Sequence, residues 1–277
     1  LDPEISSTIG FTDAQAKLTW DLSTRHAVEV LALGGEAVYR EPDAGQVNGL
    51  ARAVSTGGLV SAGWRWLHPR VTTRHRVSVT GSRLTNTGQV SQVLAQSTTT
   101  TLAWRTDASI AAGPHAIVEA GAQLERTSGD FSAARYARSG PGQVRLTARR
   151  EATGRRTTRA AWGQISRRSP RWAAVGGVRL VQGENDQSAW VAPWLLVEVR
   201  AGAATWKAGA GATRQPASLE AALSSSLVTG PERARGLDAG VSLAPSARFR
   251  VDLTGFVRRE RDVIRTLGEE QLRDGVR

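Results

Sequence analysis

Phe11-Thr-Asp-Ala-Gln-Ala-Lys-Leu-Thr-Trp-Asp-Leu22 decides how this chain is read. Its even positions, Thr12, Ala14, Ala16, Leu18, Trp20 and Leu22, carry no charge. Its odd positions from Asp13 onward, Gln15, Lys17, Thr19 and Asp21, are all polar. A strand repeats its side-chain direction every second residue, so this is a strand with one greasy and one wet face. A soluble sandwich would fill the greasy side with Ile, Leu, Val and Phe. Here Ala, Gly, Val and Trp stand there, opposite charged residues. That pattern suits hydrocarbon outside and a watery lumen inside. The expected fold is all-β: an antiparallel up-and-down transmembrane β-barrel, or an open curved part of one, with about 12–14 strands.

Working outward, the strands come in pairs, joined alternately by short and long connections. A tight turn, Ser23-Thr24-Arg25, leads to a strand over 26–35, then a polar loop over 41–48. The third strand, 57–67, places Val60, Ala62, Trp64 and Trp66 on one face and Leu59, Ser61, Gly63 and Arg65 on the other. His68-Pro69-Arg70 turns the chain into 73–83, and a second long loop spans 86–96. Strands over 98–109 and 116–126 follow around Ala112-Gly113-Pro114-His115, then a third loop over 127–140 rich in Ser, Gly and Arg. Alternation fades over 143–168, where two strands are expected. It recovers over 171–181, with Trp172, Ala174, Gly176, Val178 and Leu180 on one face. Hairpins over 191–198 with 205–213, and 236–243 with 248–258, complete the pattern. Short turns alternating with long loops are what an outer-membrane barrel needs, and a soluble sandwich has no reason to keep them.

Composition narrows the classes. An apolar fraction of 40% is too high for a disordered chain. No apolar run approaches the ~18 residues of a transmembrane helix, so strands are the only route into a membrane. There is no cysteine, which excludes disulfides, thiolate metal sites and cysteine nucleophiles. There is no methionine either, so Leu1 is expected to be the start of a fragment or mature piece. The net charge of +11 is almost all arginine, since lysine occurs only at Lys17 and Lys207. These arginines are spread along the chain, whereas a nucleic-acid binder gathers them into a patch, so nucleic acid is not an expected partner. Instead they suit a lumen and its loops, pairing with Asp13, Asp21, Glu119 and Glu125 and meeting lipopolysaccharide or anionic ligands.

The tryptophans sharpen the membrane reading. Trp20, Trp64, Trp66, Trp104, Trp172 and Trp206 fall near strand ends or on apolar faces. The amphipathic indole prefers headgroup level and builds aromatic girdles. Arginine or lysine on the lipid face would cost roughly 2–4 kcal/mol at the midplane, and the clear strands carry none there.

The late segment carries a family resemblance. It reads Gly209-Ala-Gly211-Ala-Thr-Arg214-Gln-Pro216-Ala-Ser-Leu219-Glu220, then Gly230-Pro231-Glu232-Arg233, Leu237-Asp238-Ala-Gly240, Val251-Asp-Leu-Thr-Gly-Phe256-Val-Arg258 and Asp262-Val-Ile264. In order and spacing this resembles the late barrel of TonB-dependent outer-membrane receptors, and Gly10 to Lys17 looks like one of their middle strands. The resemblance implies that Arg214, Pro216, Glu220, Pro231, Glu232, Arg233, Asp238, Gly240, Phe256 and Arg258 are family-motif residues with a structural role. It implies residence in the bacterial outer membrane, among lipid and lipopolysaccharide. It also implies energised uptake of a scarce nutrient such as an iron chelate, cobalamin or a glycan. The family fills a barrel of about 22 strands with an N-terminal plug behind a TonB-engaging box. None of these, nor the closing strands, is found here, so the whole chain, 1–277, is expected to be a single β-barrel segment. Its own plug, and TonB through it, are implied partners of the full-length protein.

No catalytic constellation emerges. His26, His68, His75 and His115 lie on separate hairpins without ligand spacing, so no metal is expected. There is no phosphate-cradling loop and no nucleophile elbow. The chain is expected to be no enzyme and to hold no cofactor, and its ligand-contacting residues stay unassigned. Two other readings remain: a smaller complete porin-like channel, and a soluble β-rich binding module. An open barrel would expose two sheet edges, each unpaired backbone group in hydrocarbon costing several kcal/mol. The structure is therefore expected to be an unclosed curved sheet or a forced smaller barrel. A compact two-layer sandwich would refute the membrane reading.

Overall fold

The computed structural model describes residues 7–41, 46–183, 189–215, 219, 232–246 and 248–261. They form a single twelve-stranded antiparallel sheet in which neighbours in sequence are neighbours in space. The strands are β1 (Thr8–Asp21), β2 (His26–Arg40), β3 (Arg52–Leu67), β4 (Val71–Thr87), β5 (Val93–Ala111), β6 (Ala116–Gly140), β7 (Gln143–Arg168), β8 (Trp172–Gly183), β9 (Trp190–Ala201), β10 (Ala204–Gln215), β11 (Glu232–Ser246) and β12 (Phe249–Arg261). β1 and β12 are the sheet's edges and do not pair with each other, so the wall is an open, curved part of a barrel.

A single layer has no interior. The chain exposes 19870 Å², against about 11,500 Å² for a compact monomer of its mass. Among the described residues no large side chain is fully buried. The buried strand residues Ala27, Ser61, Ser97, Thr127, Ala160, Val181, Trp190, Ala192 and Ser242 all share the parity of the polar, concave face. A sandwich would bury the opposite parity. Large apolar residues of that other parity, such as Leu18, Val60, Leu102, Val191 and Leu237, are exposed.

The register lines these faces up across the sheet. Ala16, Ala32, Val60, Val79 and Leu102 are successive cross-strand partners, as are Leu195, Ala210, Leu237 and Val257 further on. A one-residue slip in any pairing would turn a whole strand inside out, so the lipid-facing pattern specifies register strongly.

The central hairpin corrects the sequence reading. The expected loop over 127–140 is strand, and 143–168 is one strand rather than two. β6 and β7, 25 and 26 residues long, pair through a two-residue turn at Pro141-Gly142, where Gly142 holds a φ of +68 that other residues adopt reluctantly. A bilayer needs only about 9–11 residues of tilted strand. Beyond that length this hairpin carries arginine on both faces, as at Arg149 and Arg150 and at Arg155 and Arg156, so alternation vanishes. Likewise the loop expected over 86–96 shrinks to 88–92.

Candidate functional site

The convex face is a band of uncharged residues. It runs through Ala14 to Trp20, Val28 to Gly34, Gly58 to Trp66, Thr73 to Gly81, Thr100 to Ile110 and Val118 to Leu124 at alternate positions. It continues through Ala161 to Ile165, Trp172 to Leu180, Val191 to Val199, Trp206 to Ala212, Leu237 to Leu243 and Val251 to Val257. No Asp, Glu, Lys or Arg interrupts those positions. On the complete strands the run covers about nine residues, or ~22 Å of depth at a tilt of ~40°, close to the apolar band of outer-membrane barrels.

The band's two rims differ. Trp20, Trp64, Trp66, Trp172 and Trp206 sit at the short-turn rim. Trp64 is stacked between His26 and His75, with centroids 5.7 and 5.3 Å away, and its Nε1–H donates to His26 Nδ1 at 3.3 Å. The Arg167 guanidinium lies over Trp172 at 5.8 Å. In sequence these histidines look unrelated; register brings two of them to one indole. At the loop rim stand arginines instead: Arg126, Arg159, Arg235 and Arg259. Trp162, Trp190 and Trp194 have the opposite parity and face the concave side.

The concave face is ionic. Lys17 Nζ meets Glu29 at 2.8 Å and Arg76 approaches the same carboxylate at 3.7 Å. Arg105–Asp107, Arg200–Glu198, Arg250–Asp252 and Arg258–Glu260 pair along single strands at 2.7–3.0 Å. A spacing of two residues puts both members on one face, which makes these contacts local. The carboxylates expected to take arginine do otherwise. Glu119 accepts from the Gln164 amide, and Glu125 accepts from Gln123 at 3.2 Å. Asp13 and Asp21 make no ion pair among the described residues. At the loop end of β2, beyond the apolar band, Tyr39 donates to Glu41 at 2.7 Å, and this bond holds its phenol above the usual tyrosine range.

The family-motif residues scatter over this late wall. Arg214, the penultimate residue of β10, has its guanidinium 5.9 Å from the Trp190 ring centre. Glu232 and Arg233 open β11 opposite Gln215 and Arg214. Asp238 faces Gly209, where an added Cβ would meet its carboxylate oxygen at 2.5 Å. Gly240 lets the Leu253 carbonyl approach to 2.7 Å from where a Cβ would stand. Phe256 is an exposed partner of Asp238, and Arg258 pairs with Glu260. Pro216, Glu220 and Pro231 lie outside the described residues.

An apolar convex band, a charged concave face and meandering antiparallel strands define the class: the wall of an outer-membrane type β-barrel. No protein-family model and no curated protein matches the sequence. Solved structures do match. The ferric enterobactin receptor PfeA from Pseudomonas aeruginosa superposes at a TM-score of 0.70 with 10% identity, over 93% of this chain and 43% of its own. The copper transporter OprC gives 0.68 and 13%, over 90% and 45%. The ferric citrate transporter FecA in its unliganded form gives 0.63 and 14%, over 92% and 43%. This chain therefore has the fold of the TonB-dependent receptor barrel wall, and spans less than half the length of these three relatives.

Proposed function

We propose that this chain is part of the barrel of a TonB-dependent receptor in the bacterial outer membrane. The receptor takes up a scarce, bulky nutrient such as an iron chelate, cobalamin or a glycan, using energy relayed by TonB through a plug in the full-length protein. One observation carries the reading: an uncharged band about one outer membrane deep encircles the convex face, while arginine and its carboxylate partners line the concave face. The fold similarity to named metal and siderophore transporters supports it. A smaller complete channel would require β1 to pair with β12, and a soluble module would require a second layer over the Ala/Val/Trp face. Neither arrangement occurs among the described residues. The motif residues Asp238 and Gly240 act in this reading as packing positions of the late wall.

The test uses the full-length protein that carries this chain. Its gene is disrupted, and uptake of iron chelates, cobalamin and oligosaccharides is measured under limitation, beside a strain lacking TonB. The expected result is loss of one uptake activity in both strains, with the protein recovered in the outer-membrane fraction. Recovery in a soluble fraction, or uptake unaffected by both disruptions, refutes the proposal.

A further inference from the structure

On the concave side, β6 to β10 enclose a pocket of about 350 Å³. Its floor is the apolar cluster Ala160, Val181, Trp190 and Ala192. Such a floor has no use for charge, yet Arg156, Arg179 and Arg214 line the walls with a single carboxylate, Glu125. That carboxylate is engaged by its own strand, accepting from Gln123 at 3.2 Å and from Thr127 at 3.5 Å. Among the described residues Arg179 makes only a long contact, to the side-chain Oε1 of Gln123 at 3.4 Å.

Two donors are more telling. Trp190 is only 9% exposed, and among the described residues its Nε1–H has no hydrogen-bond partner; the Nε–H of Arg214, buried over the same ring, has none among them either. Buried indole and guanidinium N–H groups in folded proteins are nearly always satisfied, so two orphans at one pocket mark a missing acceptor. They come from different strands, and the register that places Trp190 opposite Val181, beside Arg179 opposite Ala192, assembles the set. Three guanidiniums against one carboxylate that is already engaged, over an apolar floor, leave an excess of positive charge and donors that selects an anion.

We infer that this pocket binds an oxyanion, a carboxylate or phosphate group carried by a solute in the barrel lumen. Arg214 and Trp190 donate to its oxygens, and Arg179 and Arg156 supply field and orientation. The volume admits one small polyacid or one anionic arm of a larger chelate. The inference deepens the uptake reading and rests on it only for the route by which the solute arrives. Failure of that reading shows in growth and fractionation, whereas failure here shows in binding.

The test is a titration of the full-length receptor in detergent with tricarballylate, inorganic phosphate and, as a neutral control, maltose. It is followed by calorimetry and by tryptophan fluorescence. The expected result is saturable binding of at least one anion and none of maltose. Arg214→Gln should weaken binding at least tenfold, and Arg179→Gln severalfold. Trp190→Phe, which keeps the ring and removes the N–H, should weaken binding and erase the fluorescence change. Each variant is first checked for wild-type migration of the unheated protein in gels. Absence of binding by both anions overturns the inference, as does equal response to maltose. Wild-type affinity in both folded arginine variants overturns it too.

Discussion

Exchanging a single residue for arginine on either side of β4 puts the orientation of the wall to a quantitative test. Val77 points to the convex face, paired with Ala62 and Trp104, and is 47% exposed because nothing of this chain covers it. Thr73 and Gly81 bound the band on this strand. Val77 therefore lies about 13 Å along the strand from each rim, or ~10 Å in depth, close to the midplane. An arginine there costs about 2–4 kcal/mol, roughly a 30- to 1000-fold change in the folded-to-unfolded ratio. The neighbouring Ser78 points to the concave side, paired with Ser61 and Ala103. An arginine there stays hydrated beside residues that already include Arg76, and costs no more than about 1 kcal/mol. Full-length Val77→Arg and Ser78→Arg proteins are refolded into phospholipid vesicles over a urea series, with the folded fraction read from heat-modifiable gel mobility. Val77→Arg should fold to a much lower urea concentration than Ser78→Arg. An equal loss in both, or a greater loss in Ser78→Arg, would mean that hydrocarbon does not touch the Ala/Val/Trp face.

Further outcomes follow from particular contacts. Gly121→Ala puts a Cβ 2.7 Å from the Thr106 carbonyl oxygen, a backbone atom that cannot yield cheaply, and should cost about 1–3 kcal/mol. Gly81→Ala, with nothing within 4 Å of the new methyl, should shift the same urea midpoint far less. Glu29→Gln removes the partner of Lys17 and Arg76, but these side chains are 34–57% exposed. Its effect should stay below about 1 kcal/mol and shrink further in high salt, as read from midpoints at two ionic strengths. Tyr39 carries a raised phenol pKa through its bond to Glu41, so its stabilisation is complete below the unfolded tyrosine value of about 10 and disappears as pH climbs through the raised one. The difference in 295 nm absorbance between wild type and Tyr39→Phe should show a phenol that ionises later than a model tyrosine.

The sequence by itself determined the strands that carry the uncharged band, their faces and the single-layer plan, because a two-residue period and the lack of charge on one side are local properties of each strand separately. The alternation over 12–22 and 172–180 is legible for that reason, and so is the tryptophan rim. Tertiary structure alone decided what depends on register and curvature. Hairpin β6–β7 extends beyond the uncharged band and loses its alternation there, so 127–140 reads as loop although its backbone pairs with β7. His26 and His75 meet at Trp64 only because three strands are in one register. The pocket around Trp190 and Arg214 joins residues from five strands, and no spacing along the chain announces it. Pairing across a sheet is set by long-range hydrogen bonds, and it brings together side chains that are far apart in sequence.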